Sequence, residues 1–129
     1  MRKCLLLAAV FVIASTGSGL TQDVEAGQGV FKRLCFPCHD AGPGAKVKLG
    51  PPLNGLDGKA AGTFPGFNYS EANKTSGITW NEASFAEYVK NPMQRMPGTR
   101  MAFAGVRDDK DIGNLWAYLK QFSDSGDKK

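Results

Sequence analysis

Cys35, Cys38 and His39 lie within five residues of one another in the segment LCFPCHD, and His39 is the only histidine in the chain of 129 residues. Two thiols with two residues between them occur in redox-active dithiols, in zinc sites and in sites where haem is attached covalently. Each chemistry makes a different demand on the surrounding sequence. The rest of the chain therefore discriminates among the three.

Neither a dithiol nor a zinc site suits this sequence. The proline before Cys38 is typical of thioredoxin-like dithiols, but that chemistry places the motif at the start of a helix that follows a buried strand. Here a helical pattern precedes the motif and no apolar strand follows it. A structural zinc site needs four ligands, and carboxylates would have to complete a set of two cysteines and one histidine.

Covalent haem attachment accounts for all three residues. Each thiol can add to one vinyl group of the porphyrin, and His39 can then coordinate the iron through a ring nitrogen. A second histidine ligand from this chain is excluded by count, whereas a methionine ligand suits electron transfer. The methionine candidates are Met93, Met96 and Met101, and counting does not choose among them.

The N-terminal residues have the pattern of a secretory signal peptide. Arg2 and Lys3 precede an apolar run from Cys4 to Ala14 that is too short to span a bilayer, and small and polar residues follow. We predict a removed signal peptide over approximately residues 1–21 and a single domain over residues 22–129 with a short polar C-terminal tail. The two cysteines that remain after cleavage enter an oxidising compartment, where free thiols rarely persist.

The charge of the mature chain is small. Without Arg2 and Lys3, 14 Lys and Arg residues stand against 12 Asp and Glu residues, which gives a net charge near +2. The basic residues are scattered, and this argues against a nucleic-acid-binding protein. No later segment is apolar over a length that would cross a membrane, so we expect no stable membrane insertion.

Helical patterns occur near both ends of the chain. Asp23 is predicted to cap a helix over VEAGQGVFKRLC. The strongest pattern is DDKDIGNLWAYLKQF, in which apolar residues recur at steps of three and four behind Asp108 and Asp109. We therefore predict helices at both ends of the domain.

The middle of the chain contains fewer helical patterns and two long loops. A helix over TWNEASFAEYVKNP is predicted to begin with a capping box of Thr79 and Glu82 and to end at Asn91, before a proline. Ser70 is predicted to cap a short turn of helix. The remaining segments are rich in Gly and Pro, and loops near thirty residues long are unusual in a small domain unless they wrap a large group that is not protein.

Several segments resemble the class I cytochromes c of the mitochondrial and bacterial c2 type. PGTRMAFAG (Pro97 to Gly105) resembles the methionine loop of that family, and GPPLNGLDGKAAG, PGFNYSEANKTSGITW and EYVKNP resemble its intervening segments in order. The resemblance covers roughly residues 26–122. It implies an all-α class I cytochrome c fold, in which short helices and long loops wrap one covalently bound haem c, with His39 and Met101 as iron ligands.

The resemblance also implies roles for residues around the haem. Pro51 would accept a hydrogen bond from His39 Nδ1–H, and Tyr88 and Thr99 would lie on the methionine side. Lys59 stands where the family usually has an arginine that supports a haem propionate. The remaining implied contacts are Tyr69 and Trp80 at a propionate, Asn73 at an internal water and Phe103 over the haem edge.

The implied function is that of a soluble, monomeric carrier of single electrons in the periplasm, not in the mitochondrial intermembrane space, and not an enzyme. Its partners would be redox proteins of a respiratory or photosynthetic chain, such as the cytochrome bc1 complex together with a terminal oxidase, a reaction centre or a periplasmic dehydrogenase. The alternative is a haem enzyme, peroxidase-like or oxidising a small molecule, with a displaceable sixth ligand. Such an enzyme would need acid–base groups beside the iron, and no second histidine is present.

Two further implications concern packing and surface charge. Gly27 and Phe31 would meet Leu115 and Tyr118 where the first and last helices cross. The lysines that steer mitochondrial relatives to acidic partners are thinned here, so we predict a weak dependence of partner association on ionic strength. Their positions hold Gly29, Leu34, Met93, Gln94 and Arg100, and a modest positive face remains at Lys46, Lys48, Arg100 and Arg107.

Overall fold

Helices joined by long loops make up the chain in a computed structural model that describes residues 21–129. The predicted signal peptide lies outside the described residues apart from Thr21, and the proposed domain limits stay a prediction. Within the described range no strand forms, and none of the helices is long and apolar enough to cross a bilayer. The helices are α1 (Val24–Val30), α2 (Glu71–Lys74), α3 (Glu82–Lys90), α4 (Pro92–Arg95) and α5 (Asp109–Lys120), with a π-helix (Phe31–Cys35) continuing from α1.

The first and last helices cross at a glycine, as predicted. A Cβ atom added to Gly27 would lie 1.9 Å from the backbone oxygen of Asn114 and 3.0 Å from Tyr118 Cβ. One turn later, the Phe31 ring packs against the Tyr118 ring with their centroids 5.4 Å apart. Asp23 caps α1 by accepting a hydrogen bond from the Ala26 amide. Glycine is therefore needed at the crossing because α5 backbone occupies the space of a side chain.

The second half of the predicted first helix is a π-helix. The pattern VEAGQGVFKRLC was predicted as one regular helix, but its second half is a π-helix whose i→i+5 geometry includes a hydrogen bond of 2.9 Å from Phe36 N–H to the Phe31 carbonyl. The amide groups of Cys38 and His39 then donate to the Cys35 carbonyl at 3.0 and 2.8 Å. This tight turn brings all three chemically active residues to the end of one helix.

The capping box of α3 was predicted at the wrong pair of residues. Asn81 Oδ1 accepts from the Ser84 amide and Ser84 Oγ accepts from the Asn81 amide, both at 2.9 Å. Thr79 cannot cap the helix because its backbone forms a bridge to Ala60, so the helix begins two residues later, and Glu82 is its first residue rather than a capping partner. The structure confirms the predicted end of the helix at Asn91.

Two other helix ends follow from local sequence. Asn91 also caps α4, which begins at Pro92, a position where the missing amide of proline costs no hydrogen bond. The sequence predicted only an end there and missed α4. Ser70 caps α2 as predicted, with Ser70 Oγ accepting from the Asn73 amide at 3.2 Å.

The polar C-terminal residues form an ordered turn. We call residues 121–129 the C-terminal turn. Its backbone closes through hydrogen bonds of 2.8 Å from Ser123 N–H to the Asp127 carbonyl and from Lys129 N–H to the Gln121 carbonyl. The Phe122 side chain is buried, and its backbone bridges Lys128. The chain end is therefore part of the folded domain.

Candidate functional site

A cavity of about 630 Å³ lies between the helices and the long loops, and its walls are mainly apolar. All twelve predicted site residues line it. The structure thus brings together residues that span more than half of the chain. They are Cys35, Cys38, His39, Pro51, Lys59, Tyr69, Asn73, Trp80, Tyr88, Thr99, Met101 and Phe103.

His39 is held in a single orientation at the cavity wall. Its Nδ1 atom lies 2.8 Å from the Pro51 carbonyl oxygen, to which the ring donates a proton, and Nε2 then retains a lone pair. Burial lowers the pKa of His39, the hydrogen bond to Pro51 opposes that effect, and the positive charge of Lys48 adds to it. At neutral pH the imidazole is therefore uncharged, and it is suited to bind a metal through Nε2.

Gly50 is a functional residue that the sequence analysis missed. A Cβ atom at this position would lie 2.3 Å from Cε1 and 2.6 Å from Nδ1 of His39. The loop can therefore pass the imidazole and present the Pro51 carbonyl only if residue 50 lacks a side chain. The available signal was a glycine placed directly before Pro51 and Pro52.

Both thiols of the motif border the cavity, but in different surroundings. Cys35 is buried and Cys38 is exposed, and neither forms a disulfide within residues 21–129. Burial raises the pKa of Cys35 to about 12, with a smaller contribution from Cys38. The two sulfur atoms are therefore available for thioether bonds to a group in the cavity, one inside its wall and one at its rim.

Only one of the three methionine candidates lines the cavity. Met101 does so, and the Tyr88 hydroxyl lies 3.4 Å from its sulfur and 3.1 Å from Thr99 Oγ1. Met93 is 63% exposed, and Met96 is buried in the core. Burial raises the pKa of Tyr88, so its hydroxyl stays protonated and can donate.

Polar groups of the cavity wall are placed to meet negative charge and water. Lys59 Nζ lies 3.3 Å from the Asn54 carbonyl oxygen, and Tyr69 accepts a hydrogen bond from the Phe64 amide, which leaves its own hydroxyl proton free to donate. Asn73 Oδ1 is buried and has no hydrogen-bond partner among the described residues. A buried polar atom of this kind costs free energy unless water or a ligand reaches it.

The residues of the cavity fit an iron porphyrin. Its apolar walls match a flat apolar ring, two thiols lie where covalent bonds can form, and an imidazole and a thioether offer one nitrogen and one sulfur ligand. The Lys59 ammonium group lies where it can meet a haem carboxylate, and the Asn73 amide oxygen can accept a hydrogen bond from an internal water.

Comparisons with known proteins agree with this assignment. The sequence model of the family described as cytochrome C oxidase, cbb3-type, subunit III, matches residues 22–119. A cytochrome c2 of Blastochloris viridis is 52% identical over 130 residues, which cover all of both chains. A cytochrome c2 of Rhodoplanes tepidamans is 56% identical over 84% of this chain and all of the relative, and a cytochrome c-550 of Nitrobacter winogradskyi is 52% identical over 83% of this chain and 97% of the relative.

Proposed function

Because the chain belongs to the class I bacterial cytochromes c, we propose that it carries single electrons in the periplasm, with its haem iron between His39 and Met101. Proteins of this family are electron-transfer proteins with covalently bound haem c, and the chain is accordingly not an enzyme. The observation that carries the proposal is the convergence of His39, Met101 and both thiols on one apolar cavity.

The cofactor supplies an iron atom that gains and loses one electron. The chain would attach it through Cys35 and Cys38 and present the His39 ring from the adjacent position in the sequence. The hydrogen bond from His39 to Pro51 fixes the ring and strengthens Nε2 as a donor. These residues would hold the cofactor in one orientation.

Met101 is the proposed second ligand of the iron. A thioether favours the reduced state of haem iron more than a nitrogen ligand does, and this suits an electron carrier. The Tyr88 hydroxyl restrains the sulfur atom, and Thr99 restrains the hydroxyl in turn. With Met101 bound to the iron and apolar walls around the haem, water and small oxidants would have little access to the iron.

The haem carboxylates are proposed to meet the polar part of the wall. Lys59 provides positive charge, and Tyr69 and Trp80 provide hydrogen-bond donors. Asn73 Oδ1 is proposed to bind an internal water molecule, which would give that buried oxygen a partner. Phe103 is proposed to cover one edge of the ring.

We propose that partner proteins dock where the cavity reaches the surface. Leu49 lines the cavity, and its side chain is 81% exposed. Phe36, which lies between Cys35 and Cys38 in the sequence, is 51% exposed. A small apolar contact supports brief encounters, which a monomeric carrier needs because it must leave one partner before it meets the next. The proposed partners are a cytochrome bc1 complex and a terminal oxidase, reaction centre or periplasmic dehydrogenase.

Purification from a host that exports proteins and matures c-type cytochromes tests the proposal. We expect the intact mass to equal that of the chain from about residue 22 onward plus one haem, and we expect the colour to stay with the protein in acid–acetone. Redox titration should follow a one-electron curve. A mass equal to the bare polypeptide, or colour that passes into the solvent, would contradict the proposed attachment.

A further inference from the structure

The C-terminal turn packs directly against the loop that carries Lys59. The Gly55 amide donates to the Phe122 carbonyl at 3.2 Å. A Cβ atom at Gly126 would lie 2.1 Å from the Gly42 carbonyl oxygen and 2.7 Å from Asn54 Nδ2. The turn and the cavity loop are therefore in close contact at more than one point.

The same contact brings a carboxylate to the Lys59 ammonium group. Asp124 Oδ1 lies 2.7 Å from Lys59 Nζ, and a Cβ atom at Gly55 would lie 2.1 Å from the same Asp124 oxygen. Gly55 has a φ of +59°, which favours glycine as well. The absence of a side chain at residue 55 thus leaves room for Asp124 to reach Lys59.

Lys59 is held from several directions. Its side chain is 21% exposed, its ammonium group contacts Asp124 and the Asn54 carbonyl, and the Phe64 ring centroid lies 5.6 Å away. A lysine has three N–H donors, so one of them remains for a further acceptor. Lys59 lines the cavity, and that acceptor can be a carboxylate of a group bound there.

The ion pair has little value for stability alone. The Asp124 side chain is 82% exposed, and exposed ion pairs contribute little to folding. Lys59 lowers the pKa of Asp124 through a hydrogen bond and through charge attraction, so the carboxylate stays ionised at neutral pH. Its clearest effect is to fix the position of a flexible lysine side chain.

We propose that Asp124 is a positioning residue that holds the Lys59 ammonium group at the cavity and thereby raises the reduction potential of the bound cofactor. This inference rests on the proposed function, because it requires haem in the cavity. The sequence predicted the segment that contains Asp124 only as a short polar C-terminal tail. In this proposal the segment places a charge at the cavity.

The direction in which the reduction potential changes distinguishes the loss of Lys59 positioning from the loss of the Asp124 charge alone. A fixed positive charge near the iron favours the reduced state, so release of Lys59 into solvent lowers the reduction potential. Removal of a negative charge alone has the opposite sign and raises it. Because the Asp124 carboxylate is exposed and screened, we expect the loss of positioning to be the larger effect.

The test is potentiometry of the haem-loaded protein in three tail variants. We expect a lower midpoint potential in Asp124→Asn and a potential near the native value in Asp124→Glu, which retains the carboxylate. Asp127→Asn is the matched control, since it removes the same charge from the same turn while its side chain faces Ser125 rather than Lys59. Its potential should stay unchanged or rise slightly.

A second comparison shows whether Asp124 acts through Lys59. In a Lys59→Met background, the Asp124→Asn change should no longer lower the potential. Exchange of the Gly55 amide, followed by NMR, reports whether the turn stays in place in each variant. Faster exchange of this amide in Asp124→Asn would show that the C-terminal turn has detached from the loop. Asp124→Glu then provides the comparison with the turn in place.

Several results would overturn the inference. They are a potential that rises or does not change in Asp124→Asn, an equal fall in Asp127→Asn, or a fall that persists without Lys59. Each of these requires protein with covalently attached haem. If no haem is attached, the proposed function itself fails, so the two failures are distinguishable.

Discussion

At the scale of single residues, the cavity depends on hydrogen bonds that restrain the proposed iron ligands. Pro51 restrains His39, and Tyr88 restrains the Met101 sulfur while it contacts Thr99. Each of these groups is partly or fully buried, so each hydrogen bond also satisfies a polar atom inside the protein. Restraint of the ligands and stability of the fold therefore depend on the same contacts.

The change Tyr88→Phe tests this coupling. We expect the free energy of unfolding at neutral pH to fall by about 0.5–1.5 kcal/mol, because the hydroxyl loses its contacts to Thr99 and Met101. Burial raises the pKa of Tyr88 above its ordinary value of 10.0, so the folded state binds this proton more tightly than the unfolded state does. Its contribution to stability is therefore present below pH 10 and lost as the pH rises further.

The variant lacks this titrating group, so the stability difference between native and variant protein should narrow as the pH rises above 10. Denaturant unfolding at matched pH values on both sides of that point measures it. A difference that widens with pH would show that the Tyr88 hydroxyl does not stabilise the folded state in its protonated form.

The sequence predicted the residues of the cavity better than the residues that position them. Types and spacing were sufficient for Cys35, Cys38 and His39, and resemblance supplied the rest of the twelve. Gly50 and Asp124 were missed because their roles arise from contacts with His39 and Lys59. Such contacts form only when loops fold against each other, and no local pattern in the sequence encodes them.

At the scale of elements, the crossing of α1 and α5 holds the two ends of the domain together. Gly27 permits the crossing, and the helix that contains it leads directly to the cysteine motif. A shift of α1 would therefore move the attachment point of the cofactor relative to the other cavity walls. Packing at the crossing and geometry at the site are connected through one short helix.

Two alanine substitutions in α1 test the crossing. Gly27→Ala should lower the free energy of unfolding by about 1–3 kcal/mol, because the new methyl group would overlap the backbone oxygen of Asn114. Gly29→Ala is the matched control: it is exposed, has no atom within 4 Å of the added Cβ, and should raise stability by about 0.5–1 kcal/mol. Equal effects of the two changes, measured by denaturant unfolding, would contradict a close crossing.

Helix positions were predicted well and helix ends less well. The apolar spacing placed α5 correctly because a long amphipathic pattern is a property of the sequence itself. The capping box was misplaced because both Thr79 and Asn81 are suitable capping residues, and the bridge from Thr79 to Ala60 decided between them. The π-helix was missed as well, because the apolar spacing of its segment indicated only a helix and not the i→i+5 hydrogen bond from Phe36 to Phe31.

At the scale of the whole molecule, surface charge is nearly balanced. The proposed mature chain has a charge near +2, and two haem carboxylates would offset it. Several basic side chains are also paired with acidic ones, among them Lys90 with Asp109 and Arg95 with Glu87. Within the described part of the chain, no ion pair involves the predicted positive face of Lys46, Lys48, Arg100 and Arg107.

This balance predicts weak electrostatic steering. The rate constant of electron transfer from a purified cytochrome bc1 complex should fall by no more than a few-fold between low and physiological ionic strength. A Met93→Lys/Gln94→Lys variant restores two positions at which mitochondrial relatives carry lysine, and Met93 is exposed. The rate constant of that variant should fall more steeply with salt. A steep fall in the native protein would contradict the prediction.

The central claim is that the iron is held by His39 and Met101, and near-infrared absorption of the oxidised protein tests it most directly. A bond from a methionine sulfur to the ferric iron gives a weak charge-transfer band in that region. We expect the band in the native protein and in Met93→Leu and Met96→Leu, and we expect its loss in Met101→Leu with the haem still attached. Absence of the band from the native protein, or its persistence in Met101→Leu, would contradict the account.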